Sequence, residues 1–472
     1  MDRKFHIATF GCRTNQADSA ALRQDFLDRG YRETDDRSQA DVVVVNSCTV
    51  THRSDQQVRQ LTRRLRRDNP TARLLVTGCY AQRQPRALAR IKGVDAVVGN
   101  TRKSELVQLA EGLPGRSSAT DHQATTVNEE ATAKEGRVAI PGHQTGRSPQ
   151  RQGVSRREVA AIYTDDFSKV RAIDLTPATQ VGGRTRPFVK IQDGCDAKCT
   201  YCIIPSVRGP SRSVPPQQVL EQVRGLVEAG FREIVLTGIH IGTYGMHLRP
   251  RFPLDRLLGE IAEVPGLGWL RVSSIEPMEL SRRIIDLAAD SDKIAPHFHI
   301  CLQSGSDAVL KRMLRPYDTA RFASIVEEIR EKIPHSAIGT DIIVGFPGEG
   351  EEDHRRSLDF VRRMPFTYLH VFPYSDRSGT TASGMEDKVD PQVIKRRSAE
   401  FRKLSDRKEA AFRRSFVGRR LKALTLTDTA PDGSRLALTG NYIQARLPAS
   451  CSGNQLVQGQ ALREQGNALV LT

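Results

Sequence analysis

The sequence predicts an α/β protein in three parts: an N-terminal open parallel sheet, a central partial barrel of six βα units, and a small C-terminal β-barrel. Three observations predict it. Strand-like and helix-like stretches alternate over residues 1 to 110 and again over 187 to 416, the pattern of parallel strands joined by crossover helices. Residues 111–186 break that alternation, because from about Gly115 the chain turns rich in Ser, Thr, Gln, Gly and Arg and loses its apolar period. Over residues 417–472, short β runs separated by turns replace the helical period.

In the first part, Phe5 to Phe10, Asp41 to Val45, Arg73 to Thr77 and Ala96 to Val98 read as strands, with helices from Asp18 to Arg29 and from Ser54 to Arg67. Cys12, Cys48 and Cys79 each follow one of these strands. Strand ends of an open parallel sheet converge on one crevice, so cysteines remote in sequence become neighbours there. A lone cysteine is usually a small buried hydrophobe. Three at equivalent strand ends point instead to a metal cluster.

The stretch 111–186 reads as a mostly disordered linker, too polar to offset its ordering entropy, with a local strand or helix from Glu158 to Tyr163. In the central part, strand-like segments run Phe188 to Ile191, Glu233 to Thr237, Leu270 to Ser273, His297 to Leu302, Ile338 to Val344 and Tyr368 to Phe372. Helices fill the gaps. Cys195, Cys199 and Cys202 form a C-x3-C-x2-C run just after the first of these strands. Three thiolates on one short loop hold three irons of a 4Fe-4S cube and leave the fourth open to a small molecule. Structural zinc more often takes paired C-x2-C knuckles, and no second pair lies nearby.

These residues carry a resemblance. The C-x3-C-x2-C run with Tyr201 before its third cysteine is similar to the radical S-adenosylmethionine (SAM) enzymes. The words Phe188 to Cys195, Cys202-Ile203-Ile204-Pro205 and Arg208 to Ser213 look like the methylthiotransferase branch. So do Thr9 to Gln16, Asn46 to Thr51 and Val76 to Gln82, of which Asn15-Gln16 and Cys48-Thr49-Val50-Thr51 most resemble the threonylcarbamoyladenosine tRNA enzymes. The resemblance implies a central cluster on Cys195, Cys199 and Cys202 that cleaves SAM to a 5′-deoxyadenosyl radical. A second 4Fe-4S cluster on Cys12, Cys48 and Cys79 would carry the inserted sulfur.

Polar and glycine-rich words close the central strands, where barrel chemistry sits. Together they make Tyr201, Gly238, His240, Ser274, Glu276, Gln303, Ser304, Gly345 and Pro347 candidate cofactor-binding residues, although each word alone reads more readily as a plain turn. Hydrogen abstraction by a radical needs no acid or base, so no catalytic group is expected beyond the cluster ligands. Cys301 and Cys451 read as structural.

Residues 391 to 416 form a helix on which basic residues far outnumber its three acids. Such a run is either a solvated face or a phosphate track, and Arg396, Arg397 and Lys403 are the candidate RNA contacts. The C-terminal segment resembles a TRAM domain through Gly440-Asn441-Tyr442-Ile443 and Gly453 to Gly459, with Tyr442 placed for base stacking or ordinary packing.

Composition agrees with this reading. The 472 residues call for about two to four domains. A net charge of +16 favours a polyanionic partner. Eight cysteines without an apolar leader suit metal ligands in a cytoplasmic chain better than a disulfide framework. No apolar run approaches the ~20 residues of a membrane span. The expected function is a radical SAM methylthiotransferase acting on tRNA, fed by an electron donor, and a monomer. Its substrate is threonylcarbamoyladenosine beside the anticodon; the alternatives are isopentenyladenosine, a ribosomal-protein aspartate, or a non-catalytic iron-sulfur RNA-binding redox sensor.

Overall fold

The computed structural model describes residues 3–114, 159–167, 170, 172–173, 176–179 and 182–472. Its first unit runs β1 (Lys4–Thr9), α1 (Arg13–Asp28), β2 (Arg32–Glu33), β3 (Val42–Ser47), α2 (His52–Asp68), β4 (Arg73–Gly78), α3 (Cys79–Arg83), α4 (Pro85–Ala89), β5 (Ala96–Val98), α5 (Leu106–Gly112) and β6 (Ala161–Tyr163). The sheet is parallel throughout, in the order β2-β1-β3-β4-β5-β6. The run Val42-Val43-Val44-Val45 is buried on both faces, as a central parallel strand requires. Strand β6 comes from the stretch read as a linker: Ala161 pairs with Ala96 and Tyr163 with Val98. Glu158, and the rest of that stretch over 115–158, lie outside the described residues.

Helix α1 begins five residues earlier than the Asp18 expected from its pattern, with Cys12 as its N-cap. The discrepancy has a physical cause. Thr14, Asn15 and Asp18 are buried polar residues on the helix's first turns, so the apolar period starts late although the helix does not.

The central unit contains β7 (Phe188–Lys190), β8 (Gln192–Asp193), α6 (Ile204–Arg208), β9 (Arg212–Ser213), α7 (Pro216–Glu228), β10 (Glu233–Thr237), α8 (Leu254–Ala262), β11 (Trp269–Val272), α9 (Arg282–Asp290), β12 (His297–Gln303), α10 (Asp307–Arg312), α11 (Thr319–Lys332), β13 (Ala337–Val344), α12 (Glu351–Arg363), β14 (Tyr368–Pro373) and α13 (Pro391–Arg414). Two parallel three-stranded sheets, β11-β10-β7 and β12-β13-β14, meet through the bridges Leu270 to Ile294 and Ile275 to Ile300. The result is the partial barrel of six strands. One continuous apolar cluster, from Val189 through Leu270 and Ile300 to Phe401, fills the layer between strands and helices.

The last unit is a closed barrel of β15 (Arg420–Thr429), β16 (Arg435–Thr439), β17 (Gln444–Leu447), β18 (Leu456–Gln465) and β19 (Ala468–Leu471), a TRAM-like domain. Among the described residues no helix is long and apolar enough to cross a membrane.

Candidate functional site

The loop after β8 brings Cys195, Cys199 and Cys202 around one cavity of about 810 Å³. Gly194 makes the approach possible: at φ +76° a Cβ would lie 1.9 Å from the Pro210 carbonyl oxygen. The Cys195 amide then bonds Gly209 and that of Cys202 bonds Cys199, each at 3.0 Å. Cationic and N–H donors surround the sulfurs. Cys199 Sγ accepts from Arg315 Nη1 at 3.0 Å, and Cys195 Sγ lies 3.3 Å from His240 Nδ1 and 3.4 Å from the Ala197 amide. Burial pushes the Cys202 thiol up to about 12, so it ionises readily only against a compensating positive centre. This donor set fits an iron-sulfur cube held at three corners.

The second triad is assembled by topology. Thr9 of β1, Asn46 of β3 and Thr77 of β4 stand in one row of the sheet, and Cys12, Cys48 and Cys79 lie just past it. Gly11, at φ +97°, lets the first two close up, since a Cβ there would meet the Cys48 sulfur at 3.0 Å. Burial, then the neighbouring Cys79 and Cys12, pushes the Cys48 thiol up to about 11. Cys79 Sγ accepts from Arg208 Nε at 3.3 Å, and Cys48 Sγ from the Val50 amide at 3.5 Å. Three thiols with N–H donors aimed at two of them again suit a cluster.

Buried ion pairs lock the first unit onto the barrel. Arg208, 1% exposed, reaches both oxygens of Asp193 at 2.9 Å, Asp18 at 3.0 Å, and the Asn15 side chain. Asp18 also meets Lys103 and Lys190. Although burial opposes it, the charges of Lys103, Lys190 and Arg208 hold the Asp18 carboxyl well below the usual range. On the other side, buried Arg377 bonds Thr49 at 2.7 Å and Asp55 at 2.6 Å.

Between these locks, a cavity of about 200 Å³ is lined by Val50 and Thr51 from beside Cys48, and by Tyr201, Cys202, Gln303, Asp341 and Phe372 from the barrel. The surroundings of both triads therefore border one space, which a reaction linking them requires.

The remaining candidates divide. Tyr201 and Gln303 line this shared cavity, and His240 sits at Cys195. Glu276 pairs with Arg315, which itself holds Cys199. The Gly238 carbonyl accepts the Thr14 hydroxyl at 3.0 Å, a contact across the interface, while Ser274 is exposed after β11. Ser304 is buried, its hydroxyl bonded by the Ser306 amide. Gly345 and Pro347 lie in a buried loop closed by Glu349, which accepts the Gly345 amide at 3.0 Å.

Two RNA expectations are corrected. Arg397 is 4% exposed and spends its guanidinium on Glu349 at 2.9 Å and Glu351 at 3.0 Å, because it lies on the face of α13 that packs on the barrel. The Tyr442 ring is taken up in packing, stacked on His297 at 4.4 Å with Arg271 5.0 Å from its centroid. Arg396 pairs with Glu351, whereas Lys395, Arg402, Lys403 and Arg407 remain exposed.

Arg208, Asp18, Asp193, Arg315, Arg377 and Asp55 were missed as site residues. Charged side chains scattered over the chain carry no periodic signal. Only Lys190, a cation inside an apolar strand, hinted at a buried partner.

Residues 4–99 match the family model described as "Uncharacterized protein family UPF0004", and 189–361 match "Radical SAM superfamily". The chain is 36% identical to the threonylcarbamoyladenosine tRNA methylthiotransferase MtaB of Aquifex aeolicus, over 94% of this chain and 96% of that one. It is also 36% identical to MtaB of Bacillus subtilis, over 93% and 89%. The tRNA-2-methylthio-N(6)-dimethylallyladenosine synthase of Corynebacterium diphtheriae is 32% identical, over 89% and 75%. Among solved structures, the radical SAM methyltransferase TsrM from Kitasatospora setae superposes with a TM-score of 0.50 at 17% identity, covering 79% of this chain and 73% of that one, a likeness of fold.

Proposed function

The chain belongs to the radical SAM methylthiotransferase family, and from that premise we propose that it converts N6-threonylcarbamoyladenosine at position 37 of tRNA to the 2-methylthio derivative. The observation that carries the reading is the pair of thiol triads around one interface, with a shared cavity between them. Cys195, Cys199 and Cys202 would hold a 4Fe-4S cluster that, with SAM, would supply the radical chemistry needed at the adenine carbon, and Cys12, Cys48 and Cys79 would hold a second cluster that would supply the sulfur.

The chain's own residues prepare that chemistry. Arg315 and His240 offset thiolate charge on Cys199 and Cys195, and Arg208 does the same for Cys79 while holding the two units in register. Val50, Tyr201 and Phe372 give the cavity apolar walls. The exposed cations of α13 and the TRAM-like barrel serve tRNA binding in the cytoplasm.

Within the family, the Cys48-Thr49-Val50-Thr51 word and the two MtaB relatives favour threonylcarbamoyladenosine over isopentenyladenosine or a ribosomal-protein aspartate. Mass spectrometry of tRNA nucleosides after reaction with the anaerobically reconstituted protein tests this. The expected product is 2-methylthio-threonylcarbamoyladenosine. Modification of isopentenyladenosine alone would overturn the substrate. RNA binding without any SAM cleavage would favour a redox sensor instead.

A further inference from the structure

Arg13, whose charge reaches the barrel interior beside those of Arg271 and Arg186, has no task in the reaction above. Arg13 follows Cys12 directly and is the first residue of α1. Its guanidinium crosses from the first unit to the Tyr442 hydroxyl, 3.3 Å away, and its charge bears on the buried His297, His299 and Tyr368. The surrounding acids are already engaged. Glu233 is shared by Arg271 at 2.7 Å and Arg186 at 3.3 Å. Asp341 Oδ1 meets His299 Nε2 at 3.4 Å and His370 Nδ1 at 3.3 Å. Among the described residues no carboxylate pairs with Arg13.

A half-buried guanidinium without an anion is costly unless a ligand brings one. A second observation points the same way. His299 is 4% exposed, yet neither of its ring nitrogens has a hydrogen-bond partner, Nε2 only approaching Asp341. Its neighbour Asp341 lines the cavity shared with Cys202 and Gln303. The interior thus offers a cation and an unpartnered imidazole nitrogen beside Asp341, which lines the shared cavity. Those are partners for a carboxylate and a hydroxyl on one small substituent. The same two imidazoles and one carboxylate could ligate a divalent metal, but the Arg13 charge bearing on His299 opposes a cation there.

We propose that Arg13 is a specificity-determining residue that binds the carboxylate of the substrate's N6 substituent, distinguishing a carbamoyl-amino-acid adenosine from one with an apolar substituent. The inference rests on the substrate class proposed above and adds the residue that selects it. An apolar substituent would leave the guanidinium desolvated and unpaired, and a site built around such a contact penalises its loss.

The test uses reconstituted enzyme and two anticodon stem-loop RNAs, one carrying threonylcarbamoyladenosine and one its carboxamide analogue. The ratio of their kcat/KM values is compared between wild type and Arg13→Met, with iron and sulfide measured in each. Wild type is expected to favour the carboxylate by about 10- to 100-fold, the range for a charged hydrogen bond, and Arg13→Met to bring the ratio close to one. Arg13→Lys retains part of the preference. A wild-type ratio near one overturns the proposal, as does an undiminished ratio in Arg13→Met. Binding of a backbone phosphate by Arg13 would weaken both RNAs equally and leave the ratio intact, which also overturns it. If Arg13→Met fails to hold its clusters, Arg13→Gln and Arg13→Lys carry the same comparison. Wild-type turnover of isopentenyladenosine RNA, with none of either threonylcarbamoyl RNA, would instead refute the substrate reading on which this rests.

Discussion

The two thiol triads are assembled by different routes. Cys195, Cys199 and Cys202 come from a single loop, and their geometry is set mostly by nearby backbone bonds and a glycine at Gly194. Cys12, Cys48 and Cys79 come from three strands, and only the register of a parallel sheet brings them together. A loop triad survives local disturbance of the rest of the fold. A strand-end triad depends on the whole sheet and, through Arg208 at Cys79, on the neighbouring barrel as well.

Removing ligands one triad at a time gives the largest expected effect. Ala at Cys195, Cys199 or Cys202 is expected to abolish 5′-deoxyadenosine formation, measured by chromatography after anaerobic reduction. Ala at Cys12, Cys48 or Cys79 is expected to stop methylthiolation while deoxyadenosine still forms. Loss of deoxyadenosine in both sets would mean that the triads do not divide the chemistry.

Next in size is Arg208→Met, which removes the guanidinium shared by Asp18 and Asp193 and leaves Lys190 between them, with Lys103 on Asp18. Breaking one partner of a buried network costs about 3–5 kcal/mol, so thermal melting should drop clearly. Iron should fall from about eight toward about four per chain as the strand-end triad loses its support. Arg377→Leu, which leaves Asp55 with Arg83 at 3.5 Å, should cost less, about 1–3 kcal/mol, and show as faster amide exchange in α2.

A pH effect follows from the barrel interior. Burial outweighs the Asp341 charge and holds the His299 imidazole down to about 4, with His370 and Arg13 also facing it. The folded state therefore keeps His299 neutral where the unfolded chain binds a proton. Its contribution to stability is complete above about pH 6.5 and is lost as pH falls toward 4. Urea midpoints between about pH 7 and 5 should decline, and His299→Gln should flatten that decline. The smallest effect is expected at Lys403: its replacement by Ala should weaken tRNA binding uniformly and lower the salt slope by about one.

The amino-acid sequence by itself determined the three-part architecture, the loop triad and the candidacy of the strand-end cysteines. Those signals are local: a spacing within eight residues, a period along each element, and a cysteine just past each strand. Only the tertiary structure decided which charged residues matter. Arg208 lies 190 residues from Asp18 in the chain, and Arg377 lies 322 from Asp55, yet each pair is buried in contact. The same structure withdrew Arg397 from the RNA surface by turning it inward and stacked half-buried Tyr442 on His297. The physical reason is that a charge gains or loses its role through partners brought by folding, whereas a backbone period or a thiol spacing is already present in the unfolded chain.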